Sequence, residues 1–438
     1  MTATASRALP DPPRVAIRQR TLANGLQVVS SASRASPTVS IQVWYRVGGR
    51  DDPRGRSGFA HLFEHLMFKA TANMAAEQFD RLTEDVGGFN NAFTTADVTA
   101  YHEVVPANHL EPLLWAEAER MANLRVDAAA FASERAVVQE EYRQRVLAEP
   151  YGRFGEAVRT RPYLVHPYRR GTIGSIEELD AATLEDVVAF HRSHYRPGNA
   201  VLVVTGDFDP AELDRSVDRW FGPIADRVPP ATLPPPEPPW PASRTERLTG
   251  PTVPLPAVAI AWRAPPVGDV DLPALRIAAA VLAAGDASRL NQALVYRGRL
   301  ARQASFDVDA RSGPGLLVAT AIVAGGATSL DAARNALEGE IRALAGGRPA
   351  SGAELARVRT QLVTATLATR QTPDGLGMAL GEAAAIEGRA ERVNEDLGEL
   401  MRVDAAAIAR VLRRHVVGRP RLVIEYRQET AAGKGGAS

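Results

Sequence analysis

The chain has 438 residues, 51 Lys+Arg against 51 Asp+Glu and 45% hydrophobic residues, enough for two or more domains with buried cores and unlike a small stapled module. The formal net charge of +0 leaves no electrostatic footprint for nucleic acid or an anionic membrane surface. With no cysteine, disulfides, thiolate nucleophiles and cysteine-type zinc sites are excluded together, so a metal site has to be built from His, Asp and Glu.

Residues 1–20 lack the apolar core of a signal peptide, and no later segment approaches the roughly 20 apolar residues of a membrane helix. The expectation is a cytoplasmic protein, or a periplasmic one if an export signal has been left off. An alternating strand at 39–47, VSIQVWYRV, precedes a helical region rich in small residues. Further on, the amphipathic LEDVVAFHRSHY leads into the branched-apolar NAVLVVTGD. A proline cluster between 223 and 256 tolerates neither a helix nor a central strand and is expected to be a stiff linker. The same order then repeats, with a strand at 256–264, PAVAIAWRA, and at the end AAIARVLRRHV followed by RLVIEY. Residues 430–438 are expected to fray. The repetition predicts an α+β chain of two homologous domains, 1–222 and 257–438, each an antiparallel sheet with helices packed on one face.

After the first strand comes GRDDPRGRSGFAHLFEHLMFKAT, in which His61, Glu64 and His65 form H-x-x-E-H. On a helix the two imidazoles lie at i and i+4 and project from one face, as two ligands of one tetrahedral Zn²⁺ require. Glu64 can reach a water beside such a metal without ligating it, which suits a general base. Phe59, Leu62, Phe63, Leu66, Met67 and Phe68 make the surrounding helix apolar on more than one side. Two imidazoles and a carboxylate on a buried helix are costly without a partner. A third ligand is offered by SERAVVQEEYRQRV, where Glu134 and Glu141 are two turns apart and share a face with Val137 and Val138. Glu140 is turned about 100° away. The competing reading is an acidic helix face paired with Arg135, Arg143 and Arg145.

These motifs resemble the insulinase or pitrilysin family of inverted-motif zinc peptidases, in the branch of mitochondrial processing peptidases and small bacterial two-domain relatives. The resemblance covers nearly the whole chain and implies that family's metallopeptidase fold. The family pattern sets a glutamate ligand about 75 residues beyond H-x-x-E-H, inside E-R-x-V-V-x-x-E; here E-R-A-V-V-Q-E-E ends at Glu141, 76 positions after His65. The resemblance implies one Zn²⁺ per chain held by His61, His65 and Glu141, Glu64 as general base, and Glu134 orienting a ligand histidine. GGFNNAFTTADVTAYHEVV resembles the edge strand that receives a peptide substrate, with Asn91, Ala92, Phe93 and Thr94 at the matching positions.

One stretch departs from the pattern. Self-sufficient members carry an Arg and a Tyr seven apart in the C-terminal half, and in LVYRGRLAR the matching positions are Val295 and Arg302. In the bacterial two-subunit relatives the Arg/Tyr pair sits on a second chain, so the resemblance implies a heterodimer with a homologous, metal-free subunit. The alternative it carries is a non-catalytic scaffold subunit of the same fold, although such subunits have usually lost part of the metal motif and here it is complete.

Overall fold

The computed structural model describes residues 13–227, 234–325 and 329–429; the tail at 430–438 lies outside them. Two sheets organise the chain. The first contains β1 (Arg18–Thr21), β2 (Gln27–Ala32), β3 (Thr38–Tyr45), β4 (Phe89–Thr94), β5 (Thr99–Pro106) and β6 (Ala200–Gly206) in the order β1-β2-β6-β3-β5-β4. The second contains β7 (Arg244–Gly250), β8 (Ala257–Ala264), β9 (Ala301–Asp309), β10 (Gly315–Val323) and β11 (Leu422–Gln428) in the order β7-β11-β8-β10-β9. Setting β1 aside, the two orders are the same, which is the topological mark of a duplicated unit. The α+β class holds, and most pairings are antiparallel. In each sheet one pairing is parallel, β2 with β6 and β7 with β11, at the equivalent place.

Helices are needed on both faces because the central strands are apolar on both. In β3 and β6, Ile41, Val43, Leu202 and Val204 face one core, whereas Trp44, Val201 and Val203 face another. The first core is filled by α1 (Phe59–Leu66), α2 (Gln78–Glu84), α3 (Leu110–Asn123), α4 (Ala128–Tyr142) and the Leu184–His194 helix. The opposite face of the first sheet is covered by a helix of the second half, Pro373–Ala385, through Leu380, Ala383 and Ala384. Reciprocally, α5 (Gly152–Thr160) leaves the first half and packs Phe154 and Ala157 against Leu422, Ile424 and Tyr426 of the second sheet. Helices on a single face were the expectation from sequence; the structure adds one exchanged helix to the other face of each sheet. The approach is close. A Cβ on Gly381 would lie 2.1 Å from the Trp44 indole nitrogen.

The proline-rich segment is shorter than the expected 223–256, because β7 occupies Arg244–Gly250 inside it. Pro241 and Pro251 flank this strand without interrupting it, and its backbone donors pair with β11. Upstream, Glu237 accepts backbone N–H bonds from Leu164, Val165 and His166, and Trp240 donates to the Pro162 carbonyl. Among the described residues no helix is long and apolar enough to cross a membrane.

Candidate metal centre

The helix α1 starts at Gly58, whose φ of 90° suits glycine and where a Cβ would lie 2.6 Å from the Ile173 carbonyl oxygen. Its first turn is capped from a distance: Asp52 accepts from Gly58 N at 2.7 Å and from Ala60 N at 2.8 Å. Burial is the main influence on Asp52 and lifts its carboxyl to about 7 against the pull of those two N–H groups. The apolar residues of α1 are buried, so its histidines are held at a fixed depth against α4.

His61 and His65 stand one turn apart with ring centroids 5.0 Å from each other and planes at 86°. The Nε2 atoms of His61 and His65 lie 3.5 and 3.6 Å from Glu141 Oε2, beyond an ordinary hydrogen bond. One ligand atom from each of the three residues falls within 4.8 Å of the other two. Three donors thus converge without bonding one another, and two imidazoles with one carboxylate are a donor set that could hold a metal ion such as zinc. The residues fit the ion. Burial depresses His61 to about 4, so it is neutral and ready to ligate at neutral pH. For His65, burial is outweighed by Glu141, Glu64 and Glu134, and its pKa stands above the usual value. Glu141 is held low chiefly by His65, against burial.

Glu64, one residue before His65, accepts from Thr94 Oγ1 at 2.6 Å. Its pKa is raised by burial, with the Thr94 bond opposing. Glu134 lies behind His65, with Oε2 3.5 Å from Nδ1. Glu140 is exposed and pairs with Arg143, as its rotation on the helix predicts. Val137 departs from expectation: it is 46% exposed, while Phe131, Glu134 and Val138 are buried. The buried stripe of α4 is centred toward Phe131 and Val138, which leaves Val137 at its margin.

Of the four residues expected on the edge strand, Thr94 alone makes a hydrogen bond to the H-x-x-E-H motif. Ala92 packs on the α1 side of the sheet; Phe93 meets Trp44 edge-on at 5.4 Å in the opposite core. Asn91 is exposed and bonds the Ala92 amide. The strand is outermost in its sheet. A cleft of about 590 Å³ adjoins it, lined by Thr94, Thr95 and Arg145 from the first half and by Asp309 and Arg311 from the second. Arg145 reaches Glu141 Oε1 at 2.6 Å. In the stretch without the Arg/Tyr pair, Tyr296 is half exposed and Arg302 is exposed on β9. Sequence reasoning missed Asp52 and Lys69, whose Nζ lies 2.8 Å from Glu134 Oε1; Arg145 enters it only in the competing reading, as a cation on an acidic face, and its pair with Glu141 is a part of that reading the structure shows.

Comparison with known proteins agrees with this architecture. The family model "Insulinase (Peptidase family M16)" matches residues 27–168 and "Peptidase M16 inactive domain" matches 181–362. The chain belongs to the insulinase-like peptidase family M16. It is similar to "Zinc protease PqqE" of Helicobacter pylori, 34% identical over 288 residues that make up 65% of each chain. The match therefore spans just under two thirds of that relative. "Probable mitochondrial-processing peptidase subunit beta, mitochondrial" of Arabidopsis thaliana is 24% identical over 413 residues, 91% of this chain and 76% of that protein. Among solved structures, a protease from Helicobacter pylori superposes with a TM-score of 0.89 at 26% identity, over 94% of this chain and 99% of that one.

Proposed function

We propose that the chain is a zinc-dependent endopeptidase acting on unfolded peptides or short polypeptides. The observation that carries the reading is the convergence of His61, His65 and Glu141 on one point, with Glu64 bonded alongside to the outermost strand of the sheet. His61, His65 and Glu141 would hold one Zn²⁺, which when bound would supply Lewis acidity toward a scissile carbonyl and a water. Glu64 takes the proton of the attacking water and delivers it to the leaving amine. Its raised pKa makes it a stronger base than an exposed glutamate. The open edge of β4 pairs with an extended peptide through main-chain hydrogen bonds, which gives affinity with loose sequence preference. The half through residue 222 forms the catalytic unit, and the half that begins with β7 at Arg244 its metal-free homologue.

The missing Arg/Tyr pair supports assembly with a homologous, metal-free partner that supplies those two side chains near the cleft. The same absence, with a match to a family model described as an inactive domain, favours the second reading, a non-catalytic scaffold. The test is cleavage of an unstructured quenched peptide by the zinc-loaded chain, alone and with a homologous subunit carrying the pair. Cleavage with the partner and little without it is the expected result. Robust cleavage by the chain alone removes the partner requirement, and none in either condition favours the scaffold.

A further inference from the structure

We infer that Lys69 is a positioning residue of the metal centre: its ammonium holds one oxygen of Glu134 so that the other faces Nδ1 of His65. This rests on the reading of His61, His65 and Glu141 as metal ligands. Lys69 Nζ lies 2.8 Å from Glu134 Oε1, and Glu134 Oε2 lies 3.5 Å from His65 Nδ1. The far nitrogen of the same ring, Nε2, is the one turned toward Glu141. Lys69, Glu134 and His65 thus lie in series, ending at the candidate ligand Glu141. A carboxylate behind a ligating imidazole fixes the tautomer and the ring plane.

Glu134 is only 7% exposed, and a buried carboxylate needs a countercharge. His65 cannot supply it, because a ligating imidazole is neutral. Lys69 is the one Lys or Arg ion-paired with Glu134 among the described residues. It is also held in place. Four residues beyond His65, it follows the end of α1, and the next residues are pinned by Arg125 N donating to Ala70 O at 2.8 Å and Ala72 N donating to Asn123 O at 3.0 Å.

The residue type is informative. The sequence has 49 arginines and two lysines, Lys69 and Lys434, and Lys434 lies outside the described residues. Arginine serves nearly everywhere else in this chain as the cation. At position 69 its planar fork would tend to grip both oxygens of Glu134 and take Oε2 from His65. The compact ammonium binds one oxygen and leaves the other free.

The test is the Zn²⁺ affinity of the full chain by competition with a chromophoric chelator, with the Co²⁺ ligand-field spectrum recorded on the same variants. Lys69→Met and Lys69→Arg are each expected to bind Zn²⁺ about ten-fold more weakly and to shift the Co²⁺ bands, with the melting temperature of metal-free Lys69→Arg unchanged. In a Glu134→Gln background Lys69→Met should add nothing. Lys69→Arg with unchanged affinity and spectrum overturns the inference, as does full additivity of Lys69→Met with Glu134→Gln. Failure of the ligand reading looks different: Zn²⁺ then binds His65→Ala as tightly as the unmodified chain, or binds neither, and the role of Lys69 falls with it.

Discussion

Thr94 Oγ1 donates to Glu64 Oε2 across 2.6 Å, joining the outermost strand of the first sheet to the helix that carries the two histidines of the candidate metal centre. In the function proposed above, a peptide added to that strand would lie beside the proposed general base. The bond fixes the carboxylate against rotation and satisfies an oxygen that is otherwise desolvated. Thr94→Val is expected to lower kcat/KM about ten-fold with zinc content unchanged, and Thr94→Ser to restore most of the loss. Equal activity of the Val and native chains would separate the strand from the chemistry.

The helix α4 presents two neighbouring glutamates in different surroundings. Glu141 faces both histidines, whereas Glu140 is exposed beside Arg143. Equilibrium dialysis should find that Glu141→Gln weakens zinc binding by at least ten-fold and that Glu140→Gln leaves it unchanged. The reverse order would assign the third ligand to the wrong carboxylate.

The exchange of α5 and the Pro373–Ala385 helix makes the two halves depend on each other, since Trp44, Val201 and Val203 are covered from the second half and Leu422 and Ile424 from the first. A chain cut by an engineered protease site near residue 230 should still elute as one species and melt in one transition. Gly381→Leu forces a side chain into the Trp44 indole and should destabilise the protein by about 2–3 kcal/mol in urea unfolding. Separation of the cut halves under native conditions would contradict the interlock.

In the second half, Arg289 grips Glu354 with Nε at 2.7 Å and Nη2 at 2.9 Å. Arg289, aided by Ser351 and opposed by burial, holds the Glu354 carboxyl at about 2, below its ordinary 4.5. A depressed folded pKa means that this stabilisation is complete above about pH 4.5 and is lost as the pH falls toward about 2. Glu354→Gln should therefore cost about 2 kcal/mol at pH 7, and the gap from the native chain should narrow between pH 4.5 and 3. A gap independent of pH would place the effect in packing and not in charge.

The parts of the site that were legible in the sequence are those set by helical spacing. His61 and His65 stand together because i and i+4 share a face, and Glu134 and Glu141 both approach His65 because two turns keep them on one side of α4. Val137 was misplaced because spacing defines which residues share a side but not the centre of the buried stripe. Helices were expected on one face of each sheet although the apolar run of β6 is uninterrupted; the second covering helix comes from residues 373–385, and no local pattern names a partner so distant in sequence. The strand β7 was hidden for a similar reason: its Arg, Thr and Glu residues alternate with no apolar face, and its pairing with β11 is visible only in three dimensions. Lys69 carried no local signal, because the role inferred for it depends on a contact with a helix more than sixty residues away.

Zinc content and peptide turnover measured on one preparation each of the native chain and Glu64→Gln, both with the homologous subunit present, test the central claim most directly. The account predicts one zinc per chain in both, with cleavage of an unstructured peptide by the native preparation and none by Glu64→Gln. Equal cleavage by Glu64→Gln, or zinc bound with no cleavage by either, would contradict it.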